Sequence, residues 1–264
     1  MDLKLKNKIA LVTGSTAGIG FAIAKSLAAE SAEVIINGRT TERVSYAVDQ
    51  IQKETGNKNV KGIAADFADK SQVQNLIGQL PYVDILVNNV GIFEPKPFDT
   101  ITDEDWFKFY EVNVVSGIRL SRAYLAKMLE KNWGRIIFIS SESAIQIPEE
   151  MIHYGMTKTA QIAVARGLAE LTKSSGVTVN TVLAGPTFSE GAGNFIKDMA
   201  KKTGQTVEGM EKEFFKTARP TSILQRFTLP EEIASMVVYL SGELSSATNG
   251  AALRADGGVI KSAF

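Results

Sequence analysis

Short apolar runs alternate with longer amphipathic stretches along the whole 264-residue chain. The short runs are rich in Val, Ile and Leu, which suits buried β-strands, whereas the longer stretches repeat apolar residues with helical spacing. Buried strands separated by helices are typical of a parallel sheet that is covered on both faces. The alternation therefore predicts an α/β fold with a doubly wound sheet, which binds ligands at the carboxyl ends of its strands.

The same pattern places the individual elements. Strands are expected at 9–12, 34–36, 60–64, 83–87, 135–139, 177–183 and 251–254. Helices are expected at 19–30, 40–54, 69–79, 103–131, 154–173 and 230–241. With no repeat or linker between them, these elements predict a single domain over residues 1–264.

The region 186–222 interrupts the alternation, between the sixth strand and the last helix. It is rich in Gly, Lys, Glu and Phe and contains two weakly helical stretches, at about 192–202 and 206–217. Because it follows the carboxyl end of a strand, we predict a substrate lid here. Its apolar wall would comprise Phe188, Phe195, Met199, Met210 and Phe214. The alternative is a surface excursion that has no role in function.

The composition excludes several classes of site and partner. The chain has no cysteine, and its single histidine, His153, excludes multi-histidine metal sites, so no metal is expected. Lys plus Arg equal Asp plus Glu at 29 each, and no charge field favours nucleic acid. The N-terminus lacks the apolar stretch of a signal peptide, and no apolar run approaches about 18 residues. We therefore expect a cytoplasmic protein that does not bind a membrane.

A glycine-rich turn joins the first predicted strand to the first predicted helix. Its glycines follow the spacing G-x-x-x-G-x-G. Glycines at this place allow a tight turn and let the main chain approach a pyrophosphate, whose charge meets the helix N-terminus. The turn predicts a dinucleotide site with contacts from Gly14, Ser15, Thr16, Gly18, Ile19 and Gly20.

The end of the second strand indicates which dinucleotide is bound. An NAD site usually carries an acidic side chain here for the ribose hydroxyls, but this chain has Gly38 followed by Arg39. A guanidinium binds a 2′-phosphate that a carboxylate would repel. Arg39 therefore predicts a preference for NADP(H) over NAD(H). A solvated surface arginine with use of both cofactors is the alternative.

Two further strand ends carry candidate cofactor contacts. Asp66 and Phe67 follow the third strand, where a carboxylate can accept a bond from the adenine amino group. Helix capping is the rival role for Asp66, although Asp69 is the better cap for the helix that follows. Asn89 and Gly91 follow the fourth strand, where Gly91 lets the main chain approach the ribose. A plain turn also explains an Asn-Gly pattern.

Tyr154 and Lys158 are the candidate catalytic pair. Residues four apart lie on one face of a helix, about 6 Å apart along its axis. A phenol has an ordinary pKa of about 10, and acting near neutral pH requires a shift of about three units, or roughly 4 kcal/mol. The Lys158 ammonium and an oxidised nicotinamide both favour the phenolate. The pair therefore predicts proton exchange with a carbonyl or alcohol oxygen.

Two polar residues complete the candidate set. Ser141 lies just past the fifth strand, where its hydroxyl can bond the reacting oxygen; Ser140 and Ser143 are the alternatives. Asn113 is polar within an apolar helical pattern. Buried, it needs partners and can hold a water beside Lys158 for proton relay, or it is simply a satisfied core residue.

Taken together, these motifs resemble the short-chain dehydrogenase/reductase family over residues of about 5–260. The resemblance rests on Thr13–Gly20, Asp66, Asn88–Gly91, Asn113, Ser141, Tyr154-x-x-x-Lys158, Gly185–Ser189, Arg226–Ala234 and Ala255–Gly258. Two departures are Ala184, where the family usually has proline, and Val90, where it usually has alanine. Neither departure affects a reacting group.

The resemblance implies more than the residues alone. It implies a Rossmann-type fold with a central seven-stranded sheet and homotetramers built on two long helices and the last strand. It implies that Tyr154 exchanges the proton, that Lys158 tunes it and holds the ribose, that Ser141 binds the substrate oxygen and that Asn113 serves the relay. Thr187 and Ser189 fall in the loop that holds the nicotinamide carboxamide in the family.

The expected activity is hydride transfer between NADP(H) and a small-molecule ketone or secondary alcohol. A 3-oxoacyl thioester is one candidate substrate. Family members that act on acyl carrier protein tend to carry basic residues just before the glycines that match Gly134 and Gly176, and those residues are missing here. A different class of function is a sensor that binds NADP(H) without turnover. Such relatives usually lose the tyrosine or the lysine, which disfavours a sensor.

Overall fold

A computed structural model describes residues 2–189, 193, 197, 200–201, 204 and 206–263. Within these residues the centre of the molecule is a seven-stranded sheet in the order β3-β2-β1-β4-β5-β6-β7. All six neighbouring pairs are parallel. The strands are β1 (Ile9–Val12), β2 (Glu33–Gly38), β3 (Val60–Ala64), β4 (Ile85–Asn88), β5 (Gly134–Ser141), β6 (Val177–Ala184) and β7 (Ala252–Ala255). The predicted doubly wound, Rossmann-type fold is confirmed.

Helices connect the strands and cover the sheet. Over the described residues they are α1 (Gly18–Ala29), α2 (Thr41–Thr55), α3 (Lys70–Gln79), α4 (Asp103–Tyr110), α5 (Ser116–Glu130), α6 (Ile152–Glu170), α7 (Val207–Thr217) and α8 (Pro230–Ser241). No helix among the described residues is long and apolar enough to cross a lipid bilayer.

Two separate apolar cores lie on the two faces of the sheet. Successive residues of a strand point to opposite faces, so Ala10 and Val12 of β1 join one core and Leu11 joins the other. The first core packs against α1, α2 and α8, and the second against α3, α5 and α6. Burial on both faces explains why the strands are apolar without alternation.

The observed elements differ from the predictions in two main places, and the remaining described element ends lie within three residues of the predicted ones. The predicted helix 103–131 is two helices joined by a π-helical turn, Glu111–Val115. Strand β5 extends to Ser141, so this serine is the last residue of the strand and does not lie past it. The predicted helical stretch 206–217 is α7, whereas most of 192–202, including Phe195 and Met199, lies outside the described residues.

The strand order reverses between β1 and β4, which places a crevice at their carboxyl ends. Chain connections leave β1 toward β2 on one side, whereas β4 lies on the other side and continues to β5. In a doubly wound sheet this switch point is where ligands bind. Ser141 pairs in register with Ala184, so the ends of β5 and β6 reach the same edge as the glycine turn.

The buried His153 gives the fold a pH-dependent stability. Its ring packs 4.1 Å from the Phe109 ring centroid, and among the described residues neither ring nitrogen has a hydrogen-bond partner. Burial lowers the pKa of His153, although Asp105 and Glu94 act to raise it. A lowered pKa means that folding favours the neutral ring. Its stabilisation is therefore present above about pH 6.5 and is lost as the pH falls.

We expect the free energy of unfolding to decrease more steeply for the wild type than for His153→Phe between about pH 7 and pH 5. Denaturant unfolding of both proteins at several pH values measures the two slopes. Equal slopes would contradict the assignment, because the phenylalanine ring cannot take up a proton.

Candidate active site

A cavity of about 540 Å³ opens at the carboxyl ends of β4, β5 and β6. Its lining brings together side chains and main chain from the glycine turn, from α6 and from the loop after β6. The predicted site residues that line it are Ile19, Asn89, Gly91, Ser141, Tyr154, Lys158, Thr187 and Ser189. One cavity therefore contains three of the four predicted catalytic residues and the nicotinamide side of the predicted dinucleotide site, whereas Arg39, Asp66 and Phe67 lie outside its lining.

The glycine turn has the geometry that a dinucleotide needs. Gly14 and Gly18 adopt positive φ angles of 60° and 57°, which other residues rarely adopt. A Cβ at Gly20 would collide with the Gly14 carbonyl and lie 2.5 Å from the Asn89 amide nitrogen. Helix α1 begins after Ala17 with no side-chain cap and no acidic residue in its first turn. Its free N–H groups and positive dipole end therefore fit an anionic phosphate.

Asn89 ties the glycine turn to β4. Its side-chain amide donates to the carbonyl oxygens of Thr13 and Gly14, at 2.9 and 3.0 Å. The Thr13 hydroxyl accepts in return from the main-chain nitrogens of Asn89 and Val90. These bonds hold the turn in its conformation, so Asn89 shapes the dinucleotide site from behind.

Two predicted contacts of the turn have local roles in the structure. The Ser15 hydroxyl donates to the Val12 carbonyl oxygen at 2.7 Å and accepts from the Asn37 main chain at 3.0 Å, and Ser15 is fully buried. The Thr16 side chain fills the space that a Cβ at Gly38 would enter. Crowding by Thr16 is a reason for glycine at the end of β2 that is independent of the cofactor.

Arg39 is exposed at the end of β2 and has no ion-pair partner among the described residues. A guanidinium that is not engaged by a carboxylate is available for a phosphate. The structure thus leaves Arg39 free for the predicted role without showing what it binds.

The third strand end differs from the expectation. The Asp66 carboxylate accepts from the Ala68 main-chain nitrogen at 3.0 Å, within its own turn. Phe67 is buried in the core beneath α3, so its side chain does not face a ligand. Asp69 caps α3 by accepting from the nitrogens of Ser71 and Gln72, as predicted. The groups after β3 that remain accessible for contact with an adenine ring are the Phe67 main chain and the exposed side of the Asp66 carboxylate.

Lys158 is buried at the inner end of the cavity. Its ammonium donates to the Ile139 carbonyl oxygen at 2.9 Å and to Gln161 Oε1 at 3.3 Å, and it lies 5.6 Å from the Tyr154 ring centroid. Burial lowers the pKa of Lys158 to about 8. The side chain is therefore mostly charged at neutral pH and begins to lose its charge just above it.

Tyr154 faces the cavity with a pKa above its ordinary value. Burial is the main cause, and the Glu142 carboxylate adds to it. The Ser141 hydroxyl and the Arg219 cation act in the opposite direction. The expected lowering of the Tyr154 pKa is therefore not produced by the chain's own groups. At neutral pH the phenol keeps its proton, which suits a proton donor.

The alternative serines are engaged elsewhere. The Ser140 hydroxyl donates to the Lys158 main-chain oxygen at 2.8 Å, and the Ser143 hydroxyl donates to the Glu142 carboxylate at 3.1 Å. Ser141 ends β5 on the cavity wall, and its hydroxyl also donates to Glu142. All three serines line the cavity, but Ser141 is the one whose hydroxyl acts on the Tyr154 phenol, which keeps it as the candidate for the substrate oxygen.

Asn113 lies in the π-helical turn between α4 and α5. A π-turn inserts one residue into a helix and often marks a functional position. The Asn113 side chain accepts from Ile92 N at 2.8 Å and donates to the Ile92 oxygen and the Thr157 hydroxyl, each at 3.0 Å. Its main-chain oxygen accepts from Gln161 Nε2 at 2.6 Å. The amide of Gln161 thus bridges the Asn113 main chain to the Lys158 ammonium.

Replacing Gln161 tests this bridge. We expect Gln161→Met, which keeps the length and removes the acceptor, to lower the pKa of Lys158 by about one unit, because a bond to a charged group is worth about 1.5–3 kcal/mol. Since Lys158 is expected to act charged, the high-pH decline of kcat/KM in carbonyl reduction moves to lower pH. Gln161→Glu is the matched control and moves the decline to higher pH. Unchanged pH profiles would contradict the bridge.

Two charged residues in the cavity wall were not predicted from the sequence. Glu142 follows Ser141, and Arg219 follows α7; both are buried, and the Arg219 Nε donates to Glu142 Oε1 at 2.8 Å. Glu142 had one signal in the sequence, a carboxylate directly after a buried strand. Arg219 had none, because its partner is 77 residues away along the chain.

An aromatic cluster covers one side of the cavity. Phe214 of α7 stacks on Phe227 with ring centroids 5.0 Å apart, and Phe188 packs edge-on against Phe227 at 5.9 Å. Met210, Phe214 and Phe227 line the cavity. Two of the predicted wall residues, Met210 and Phe214, thus reach the site, whereas Phe188 packs behind Phe227.

Comparison with known proteins identifies the family. The short chain dehydrogenase family model matches residues 8–200. The chain belongs to the short-chain dehydrogenase/reductase family. As a member of this family it is an oxidoreductase that acts on CH–OH and C=O groups. An uncharacterized oxidoreductase of Bacillus subtilis (strain 168), YvaG, is 50% identical over the whole of both chains.

Two relatives of known activity resemble this short-chain dehydrogenase/reductase over nearly its full length. The 3-oxoacyl-[acyl-carrier-protein] reductase FabG of Aquifex aeolicus (strain VF5) is 32% identical, with 98% of this chain and 100% of that protein covered. An L-sorbose reductase from Gluconobacter frateurii, solved with NADPH and L-sorbose, is 28% identical with a TM-score of 0.91. The match covers 99% of this chain and 100% of that chain.

Proposed function

We propose that this enzyme is an NADP(H)-dependent reductase that transfers a hydride between the nicotinamide and a ketone or secondary alcohol, with Tyr154 as general acid and base. The observation that supports the proposal is that Ser141, Tyr154 and Lys158 line one cavity together with Ile19 of the glycine turn. A sensor without turnover has no use for a buried lysine beside a phenol that faces the cavity.

In the proposed reduction, the hydride and the proton each have a defined source and destination. Bound NADPH supplies the hydride, which adds to the carbonyl carbon and leaves NADP⁺. Tyr154 donates its phenolic proton to the carbonyl oxygen, and the product is the secondary alcohol. Ser141 orients that oxygen, and the Lys158 ammonium stabilises the phenolate that forms. The raised pKa of Tyr154 keeps the phenol protonated near neutral pH, so the proton is present when the carbonyl substrate binds.

The cofactor preference rests on the end of β2. Gly38 leaves no carboxylate at this position, and the exposed Arg39 follows it. The proposed cofactor contacts are those of the glycine turn, Arg39, the main chain after β3 and β4, Tyr154 and Lys158, and Thr187 and Ser189. The Thr187 hydroxyl is held by the Gly185 carbonyl oxygen at 2.9 Å, which fixes this loop beside the position proposed for the nicotinamide.

We extend the proposal to a lid on the single domain 1–264. The described part of 186–222 supports it, because α7 places Met210 and Phe214 on the cavity wall. The cavity lining also carries three carboxylates, those of Glu142, Glu150 and Glu213, against two cations, Lys158 and Arg219, which leaves an excess of one negative charge. We therefore infer that neutral carbonyl substrates bind better than keto acids of the same size.

Assembly and location follow from the family resemblance. We propose a cytoplasmic homotetramer, and the exposed aromatic rings of Phe107 and Tyr110 on α4 support burial of this surface between subunits. The mass of the protein in solution measures the number of subunits.

The experiment is a measurement of NADPH and NADH consumption with keto-sugars, bulky apolar ketones, β-ketoacyl thioesters and simple aldehydes, each neutral ketone paired with a keto acid of the same size. Turnover with NADPH that favours the neutral member of a pair supports the proposal and names the substrate class. Turnover confined to β-ketoacyl thioesters would select the 3-oxoacyl reductase activity. Tight NADPH binding without any turnover would instead favour the sensor.

A further inference from the structure

Glu142 connects three parts of the active site through one carboxylate. Its Oε2 accepts from the Ser141 hydroxyl and, at 2.8 Å, from the Ser143 main-chain nitrogen. Its Oε1 accepts from Arg219 Nε at 2.8 Å. Both acceptor oxygens are thus engaged, and the carboxylate is only 4% exposed. The Ser141 hydroxyl is therefore held in a direction that Glu142 selects.

Arg219 brings the opposite charge from the other side of the cavity. It lies just past the end of α7, and its Nη1 donates to the Ala218 carbonyl oxygen and lies 3.7 Å from the Glu150 carboxylate. Within the described part of the chain its second terminal nitrogen has no hydrogen bond. Its side chain is 8% exposed, so a buried ion pair spans the cavity wall from β5 to the segment after α7.

The charged groups around Tyr154 come from several elements. Lys158 lies on α6, Glu213 on α7 and Glu142 directly after β5. Arg219 lies in the segment after α7, and Glu150 lies in the turn before α6. Burial of the phenol is the main cause of its high pKa, and Glu142 and Arg219 act on it directly with opposite signs. The charges of Glu142 and Arg219 therefore largely offset each other at Tyr154, whereas either residue alone would shift the pKa of the phenol.

We propose that Glu142 and Arg219 form a charge-balanced pair of positioning residues, which orients the Ser141 hydroxyl and adjusts proton transfer at Tyr154. The pair also joins the catalytic strand end to the segment that follows α7. The proposal rests on the proposed role of Tyr154 as general acid and base. It assigns functions to two residues that are not among the Ser-Tyr-Lys catalytic set.

The test uses the pH dependence of kcat/KM for oxidation of the product alcohol at saturating NADP⁺, whose positively charged ring favours the phenolate. The low-pH limb then reports loss of the Tyr154 proton in the enzyme–NADP⁺ complex. Glu142→Gln keeps the shape and the Ser141 contact and removes the negative charge, so the limb moves to lower pH. Arg219→Gln leaves Glu142 unbalanced, so the limb moves to higher pH. We expect each shift to be about one pH unit, the size that a nearby charge produces.

Two further variants keep the test decisive if Arg219→Gln fails to fold. The double variant Glu142→Gln/Arg219→Gln removes both charges and returns the limb close to its wild-type position. Arg219→Lys retains the charge and leaves the limb in place. Limbs that stay fixed in all variants, or that move in the same direction in both single variants, would overturn the proposal and leave a purely structural ion pair.

The Tyr154→Phe variant distinguishes a failure of the proposed function from a failure of the inference about the Glu142–Arg219 ion pair. If Tyr154→Phe keeps wild-type turnover, the proposed function itself is wrong. If Tyr154→Phe is inactive while the low-pH limb ignores Glu142 and Arg219, only the inference about the ion pair is wrong. Opposite shifts together with an inactive Tyr154→Phe support both.

Discussion

Replacing Tyr154 with phenylalanine lowers kcat for carbonyl reduction by about 10²- to 10⁴-fold, the range in which a general acid contributes. The ring remains, so its edge contact with Phe93 and the shape of the cavity are retained. NADPH affinity should fall by no more than about tenfold, because the variant loses one hydroxyl contact to the cofactor and keeps the glycine turn and Arg39. Steady-state kinetics and a direct NADPH titration measure the two quantities separately.

Tyr124 offers a matched control for this substitution. It is fully buried on α5, and its hydroxyl has no hydrogen-bond partner among the described residues. Tyr124→Phe removes the same atom from a place without a reacting group, and both activity and stability should stay near the wild-type values. A Tyr154→Phe enzyme as active as Tyr124→Phe would exclude Tyr154 as the proton donor.

The second large effect concerns the cofactor. Arg39→Ser should raise KM for NADPH by about 10- to 100-fold, because charge-assisted bonds to a phosphate are worth about 1.5–3 kcal/mol. KM for NADH should stay the same, since NADH has no 2′-phosphate. Kinetics with both cofactors at fixed substrate measure the change in preference.

The variant Arg39→Lys tests whether the guanidinium geometry contributes in addition to the positive charge. Lysine keeps the charge but cannot form the two parallel bonds of a guanidinium, so its KM for NADPH should lie between wild type and Arg39→Ser. Unchanged KM values for both cofactors would show that Arg39 is a solvated surface residue and would support the alternative of dual cofactor use.

Much of the fold could be predicted from the sequence because parallel strands buried on both faces read as uninterrupted apolar runs. The β1 run 9–12 and the β3 run 60–64 were placed to the residue. The π-turn at Glu111–Val115 could not be predicted, since inserting one residue into a helix leaves its apolar pattern nearly unchanged. The exact end of β5 was also missed, because Ser140 and Ser141 are polar although they pair with β6.

Part of the candidate site could likewise be predicted from the sequence, and part of it could not. Residues at strand ends, such as Ser141 and Asn89, could be placed because topology alone brings strand ends together. The bridge from Asn113 through Gln161 joins positions 48 residues apart, and such pairings depend on helix packing. The raised pKa of Tyr154 was missed for the same reason, since its second cause, Glu142, acts across space.

The most direct test of the central claim is transfer of deuterium to the best substrate of the carbonyl panel from NADPH that carries deuterium at both C4 positions of the nicotinamide. Mass spectrometry of the product alcohol measures the label. Wild-type enzyme should place one deuterium on the carbinol carbon, and Tyr154→Phe should do so at least about 10²-fold more slowly. A product without deuterium, or equal rates of labelling by the two proteins, would contradict the account.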